Sequence, residues 1–150
     1  MAYELTTDED KNRAGRSMVL VVDDDPVQRR ELADYLRHKG IRVNDIADGA
    51  LAVSEIDRLK PALVLMDYKM PGCDGVRAAK FAQMLSPATM IVLMSGHTES
   101  LARANMTLLS PLPVLHKPLM LSQISDFVIE VLGEAGVSPR SPEAAAGAEG

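Results

Sequence analysis

Four apolar runs in this chain each end on a charged or hydroxyl-bearing residue. Met18–Val22 runs into Asp23-Asp24-Asp25, 62–66 into Asp67, 90–94 into Ser95, and 112–116 into Lys117. Continuous apolar runs of this length read as strands buried on both faces, which belong to parallel sheets covered by helices. If the four runs lie side by side in one open sheet, their carboxyl ends line a single crevice, the place where doubly wound α/β folds bind ligands. That crevice would hold carboxylates, a hydroxyl and an ammonium.

The segments between the runs carry helical spacing. Pro26 suits a first helical position behind a capping Asp25, Leu32, Tyr35 and Leu36 mark one face, and Gly40 supplies the stop. A short strand over 41–46 follows, then a helix over 48–59 with Asp48 as cap and Ala52, Ile56 and Leu59 on one face. After the loop Met70-Pro-Gly-Cys-Asp-Gly75 a helix passes through Val76, Ala79 and Leu85. A weaker helix over 98–109 carries Leu101, Ala104 and Leu108, and a last one over 120–132 carries Ile124, Val128, Val131 and Leu132. Five βα repeats result, so the expected fold is a doubly wound α/β domain over 17–133. Residues 1–16 mix charges without an apolar period, and 134–150 are rich in Gly, Ala, Pro and Glu; both are expected to be disordered.

Composition narrows the function classes. The chain of 150 residues, 47% of them hydrophobic, has enough material for one core but not for a second domain. A net charge of -5 with 3% aromatic residues gives neither a basic patch nor stacking platforms, so direct nucleic-acid binding is not expected. The single cysteine, Cys73, cannot form an intramolecular disulfide and reads as a small loop residue. No signal-peptide pattern opens the chain and no apolar stretch reaches the roughly 18 residues of a membrane span, so a cytoplasmic protein without membrane contact is expected.

The chemistry of the four strand ends is more specific. Adjacent Asp23 and Asp24, joined by Asp67 from a neighbouring strand end, repel one another and gain from a cation; a few carboxylates plus waters and a phosphate suit Mg²⁺. A carboxylate at Asp67 is a competent nucleophile toward phosphorus. The Ser95 hydroxyl can hydrogen-bond one phosphoryl oxygen, and the Lys117 ammonium can pair with another. Asp25 reads as a helix cap instead.

Leu20-Val-Val-Asp-Asp-Asp-Pro26, Leu65-Met-Asp-Tyr-Lys-Met-Pro-Gly-Cys-Asp-Gly75, Leu93-Met-Ser95 and His116-Lys-Pro118 together resemble the receiver domain of two-component response regulators. The likeness spans about 17–133, with features of single-domain chemotaxis-type receivers and, at 112–119, of receivers attached to hybrid histidine kinases. It implies a (βα)₅ flavodoxin-like sheet of order 2-1-3-4-5, phosphorylated on Asp67 by a histidine kinase or histidine phosphotransfer protein. It also implies Mg²⁺ on Asp24, Asp67 and the Lys69 backbone carbonyl, with Asp23 acting through water. Ser95 and Lys117 would hold the phosphoryl group, and a cis peptide before Pro118 would aim Lys117.

Three departures from the family pattern stand out. Val114 occupies the place of an aromatic switch residue, Ser110-Pro-Leu-Pro113 replaces a Gly-Ala turn, and Lys69 and His97 occupy places that tune hydrolysis of the acyl phosphate. Lys69 can be read there either as an ion-pairing cation or as a solvated side chain. The expected function is a stand-alone phospho-acceptor rather than an enzyme, with at most self-phosphorylation and autodephosphorylation. Its signal would leave by protein contact or onward phosphorelay, through the fourth helix, fifth strand and fifth helix. Two other readings compete: a haloacid-dehalogenase-type phosphohydrolase using Asp23 in Asp23-Asp-Asp-Pro-Val27, and a degenerate receiver acting as a constitutive binding module.

Overall fold

Successive side chains of a strand point to opposite faces, so each continuous apolar run feeds two cores at once. The computed structural model describes residues 18–97, 102, 106 and 112–133, apart from the side chain of Cys73. Five strands, β1 (Met18–Val22), β2 (Arg42–Ile46), β3 (Leu63–Asp67), β4 (Met90–Ser95) and β5 (Val114–His116), form one sheet in the order β2-β1-β3-β4-β5. Every neighbouring pair is parallel, with Leu20 beside Val64, Leu65 beside Val92 and Leu93 beside Val114. This is the expected doubly wound α/β order.

Among the described residues, four helices cover the sheet: α1 (Pro26–His38), α2 (Gly49–Leu59), α3 (Gly75–Leu85) and α4 (Leu121–Leu132). One core sets Leu20, Val22, Val64, Met66, Ile91 and Leu93 against Ala52 and Ile56 of α2 and Val76, Ala79 and Ala82 of α3. The other sets Val19, Val21, Leu63, Leu65, Val92 and Met94 against Leu32 and Leu36 of α1 and Ile124 and Val128 of α4. Truncating a fully buried residue such as Leu65 to alanine should cost about 2–5 kcal/mol.

The local signals act as read. Asp25 Oδ1 accepts hydrogen bonds from Val27 N and Gln28 N at 2.9 and 3.2 Å, Asp48 Oδ1 accepts one from Ala50 N at 2.8 Å, and Gly40 ends the first helix with φ 83°. Three details differ from expectation. Leu85 is 43% exposed, because nine residues beyond Val76 it has rotated to the opposite side of the helix, and Ala82 takes its place in the core. Tyr35 is only half-buried, since Ala33 shares the inward face with Leu32 and Leu36; its ring lies 5.5 Å from the Lys39 ammonium. The fifth strand is three residues long, because Pro113 lacks an N–H and can only accept, from Leu93 N at 3.0 Å. The expected disordered ends, and nearly all of the expected 98–109 helix, lie outside the described residues. No helix among the described residues is long and apolar enough to cross a membrane.

Candidate functional site

Hydrogen bonding of the sheet continues one residue past several strands, and it fixes the crevice residues in place. Asp23 N donates to Ile46 O at 3.1 Å, Tyr68 N to Met94 O at 2.9 Å, and Lys117 N to Ser95 O at 2.9 Å. Asp67 belongs to β3 itself, in register with Met94. The strand order reverses between β1 and β3, so Asp23 and Asp67 emerge side by side at the switch point. Gly75 lets α3 begin hard against this edge: a Cβ there would sit 2.8 Å from Tyr68 O and 2.9 Å from Asp67 O. Asp74 caps that helix through Val76 N at 3.0 Å.

The crevice therefore collects buried charge. Asp23 and Ser95 are each 3% exposed, and the Asp67 side chain 11%. Lys117 Nζ lies 3.0 Å from Asp67 Oδ1, 3.4 Å from Asp23 Oδ2 and 2.8 Å from Gln28 Oε1. Burial pushes the Asp67 carboxyl above the usual carboxylate range; Lys117 opposes that, while Asp23 and Asp24 add to it. Burial alone would lower the Lys117 ammonium, but Asp67 and Asp23 outweigh it and hold the pKa above its ordinary value. One ammonium thus stands against three carboxylates.

Asp23, Asp24 and Asp67 each offer a carboxylate oxygen within 4.8 Å of the other two. Hard oxygen donors, two of them nearly buried and one exposed, fit Mg²⁺, which binds through a few carboxylates and keeps several waters. A divalent cation there would also relieve the repulsion that raises Asp67.

The structure brings Asp23, Asp24, Asp67, Ser95 and Lys117 to one edge of the sheet, as the sequence pattern requires. The Ser95 hydroxyl oxygen accepts from His97 N at 2.8 Å, and the His97 side chain is exposed. Lys69 is exposed in a two-residue antiparallel ribbon, Lys69–Met70 with Cys73–Asp74. The Lys117–Pro118 peptide is cis. Val114 is half-buried against the core beside Leu93. Of the Ser110–Pro113 turn, only Leu112 and Pro113 are described.

Two residues that sequence reasoning missed belong to this edge. Gln28 accepts from Lys117, and Arg29 donates through Nη1 to the Asp23 backbone carbonyl at 2.9 Å. Their signal was positional: the first turn of a helix opening directly behind the acidic strand end stays beside that end.

Comparison with known proteins agrees with this architecture. The family model described as the response regulator receiver domain matches residues 19–129. The chain is 35% identical over 79 residues to transcription factor SKN7 of Saccharomyces cerevisiae, covering 53% of this chain and 13% of that protein. It is 34% identical over 85 residues to the DNA-binding response regulator MtrA of Mycolicibacterium smegmatis, covering 57% of this chain and 37% of that protein. Among solved structures, chemotaxis protein CheY4 of Vibrio cholerae shares the fold, with a TM-score of 0.68 at 22% identity over 76% of this chain and 97% of that one.

Proposed function

Since the chain belongs to the response regulator receiver family, we propose that it is a phospho-acceptor signalling domain that takes a phosphoryl group on Asp67 from a histidine kinase or histidine phosphotransfer protein. The observation that carries this reading is the pairing of Asp67 Oδ1 with the Lys117 ammonium at 3.0 Å inside an acidic cluster. An Asp67 carboxylate oxygen attacks phosphorus, the bond from phosphorus to the donor imidazole nitrogen breaks, and that nitrogen keeps the electron pair. Lys117 and the Ser95 hydroxyl donate hydrogen bonds to the transferred oxygens. Asp23, Asp24, Asp67 and the Lys69 carbonyl would hold Mg²⁺, which when bound neutralises charge developing on those oxygens. Lys69 and His97, flanking the acceptor and the hydroxyl residue, would tune how fast water removes the phosphoryl group.

A hydrolase reading with Asp23 as nucleophile gains no support, since Asp23 Oδ1 accepts from Asp25 N at 3.0 Å and the family match is to receivers. With Val114 in place of a ring, no aromatic side chain at this position can swing to report the state, and a stiff β-branched residue has little rotamer freedom. The signal would then pass through Ser95 and the segment after it to a protein partner on the side of the domain that carries β5 and α4. Intact-mass measurement after incubation with acetyl phosphate tests the core of the reading. One added phosphoryl group, dependent on Mg²⁺ and absent in Asp67→Asn, is expected; labelling of that variant would overturn the assignment.

A further inference from the structure

An ammonium group has three N–H donors, and in this structure Lys117 has three acceptors in range: Gln28 Oε1 at 2.8 Å, Asp67 Oδ1 at 3.0 Å and Asp23 Oδ2 at 3.4 Å. The shortest of these contacts goes to the neutral amide. Gln28 is anchored for that task. Its backbone N–H is tied to the Asp25 cap at 3.2 Å on the first turn of α1, and its side chain reaches a residue 89 positions later in the chain. Gln28 and Lys117 also border a cavity of about 240 Å³ between α1 and the loop entering α4, lined further by Glu31, Leu32, Pro118 and Leu119.

We propose, resting on the reading of Asp67 as phospho-acceptor, that Gln28 is a positioning residue that restrains Lys117 in the resting state and opposes its engagement with the phosphoryl group. With Gln28 Oε1, Asp67 Oδ1 and Asp23 Oδ2 all within 3.4 Å, Lys117 can turn toward a phosphoryl oxygen only by weakening a present contact. The Gln28 amide carries no net charge, whereas Asp23 and the phosphoryl group are anionic, so Coulombic attraction makes the amide the partner released. A contact made in the resting state and lost in the phosphorylated one shifts the equilibrium toward rest by its own free energy.

The test is titration of the full chain with beryllium trifluoride at saturating Mg²⁺, followed by NMR, on wild type, Gln28→Met and Gln28→Asn. Methionine keeps the length and removes the acceptor; asparagine keeps the amide but is too short to reach. Both variants should bind beryllium trifluoride about fivefold more tightly, the worth of one modest hydrogen bond, with melting temperatures unchanged or slightly lower. The wild-type Gln28 side-chain amide signals should shift on titration toward those of a solvated amide. A merely structural Gln28 would leave affinity unchanged or weaken it along with stability, and either result overturns the inference. If wild type itself fails to bind, the phospho-acceptor reading falls and this inference falls with it; if wild type binds and the variants bind no tighter, only this inference fails.

Discussion

Asp45 on β2 sits between two guanidinium groups, with Arg37 Nη2 2.8 Å from Oδ1 and Arg29 Nε 3.0 Å from Oδ2. Asp67, two strands away, has one ammonium at 3.0 Å and two further carboxylates as neighbours. Burial pushes both carboxyls upward, but hydrogen bonds and charge from Arg37 and Arg29 bring Asp45 below the ordinary 3.8, whereas Lys117 alone leaves Asp67 above it. The same chemistry yields opposite outcomes because the ratio of charges differs. Two cations on one anion make a closed structural pair, while three anions on one cation leave a site that gains from a further cation. Arg29 touches both regions, since it also donates to the Asp23 carbonyl.

The sharpest way to break this comparison is to neutralise each carboxylate and follow phosphorylation. Asp67→Asn should lose labelling by acetyl phosphate entirely, and Asp45→Asn should label like wild type; equal loss in both would erase the distinction between structural pair and reactive site. Next in size is cation binding. Asp24→Ala should weaken Mg²⁺ affinity by roughly tenfold or more, as expected when one carboxylate leaves a loosely held, water-rich site. Asp45→Asn should leave that affinity in place, as measured by Mg²⁺ titration with NMR detection.

Stability should move in opposite directions in the two variants. The depressed Asp45 pKa contributes stability that is present above the ordinary carboxylate value and is lost as pH falls through the lowered one. The raised Asp67 pKa does the reverse: its cost is absent below 3.8, grows as pH climbs through the raised value, and is complete above it. At neutral pH without Mg²⁺, Asp67→Asn should therefore melt higher than wild type and Asp45→Asn lower, each by roughly 2–4 °C, the shift that about 1 kcal/mol produces in a domain of this size. Melting curves taken below the ordinary carboxylate range should bring the three proteins together, and a difference that persists there would mean that packing, not charge, separates them. The smallest effect belongs to Arg37→Gln. Its side chain is 43% exposed and Arg29 remains on Asp45, so the cost should stay below about 1 kcal/mol by chemical denaturation.

Much of this architecture was legible because its signals are local. A strand buried on both faces needs an unbroken apolar run, and a helix start needs an acceptor for its free N–H groups, so Met18–Val22, Asp25 and Asp48 announce themselves. Errors fell where phase or pairing decided the matter. Leu85 looked like a core residue until nine residues of helical rotation placed it outside, and β3 extends over Leu63–Asp67, one residue later than its apolar run, because pairing with Met94 includes Asp67.

The residue types at the carboxyl edge, and their convergence if the sheet is parallel, follow from the sequence by itself: strand polarity sends Asp23, Asp67, Ser95 and Lys117 to one side whatever else the chain does. Only the tertiary structure decided which charges face which. Register and helix placement set the 3.0 Å from Lys117 to Asp67, bring Gln28 within 2.8 Å of the same ammonium, and pair Asp45 with two arginines. Coulombic and hydrogen-bond energies depend on separation in space and on burial, neither of which is written in the order of residues along the chain.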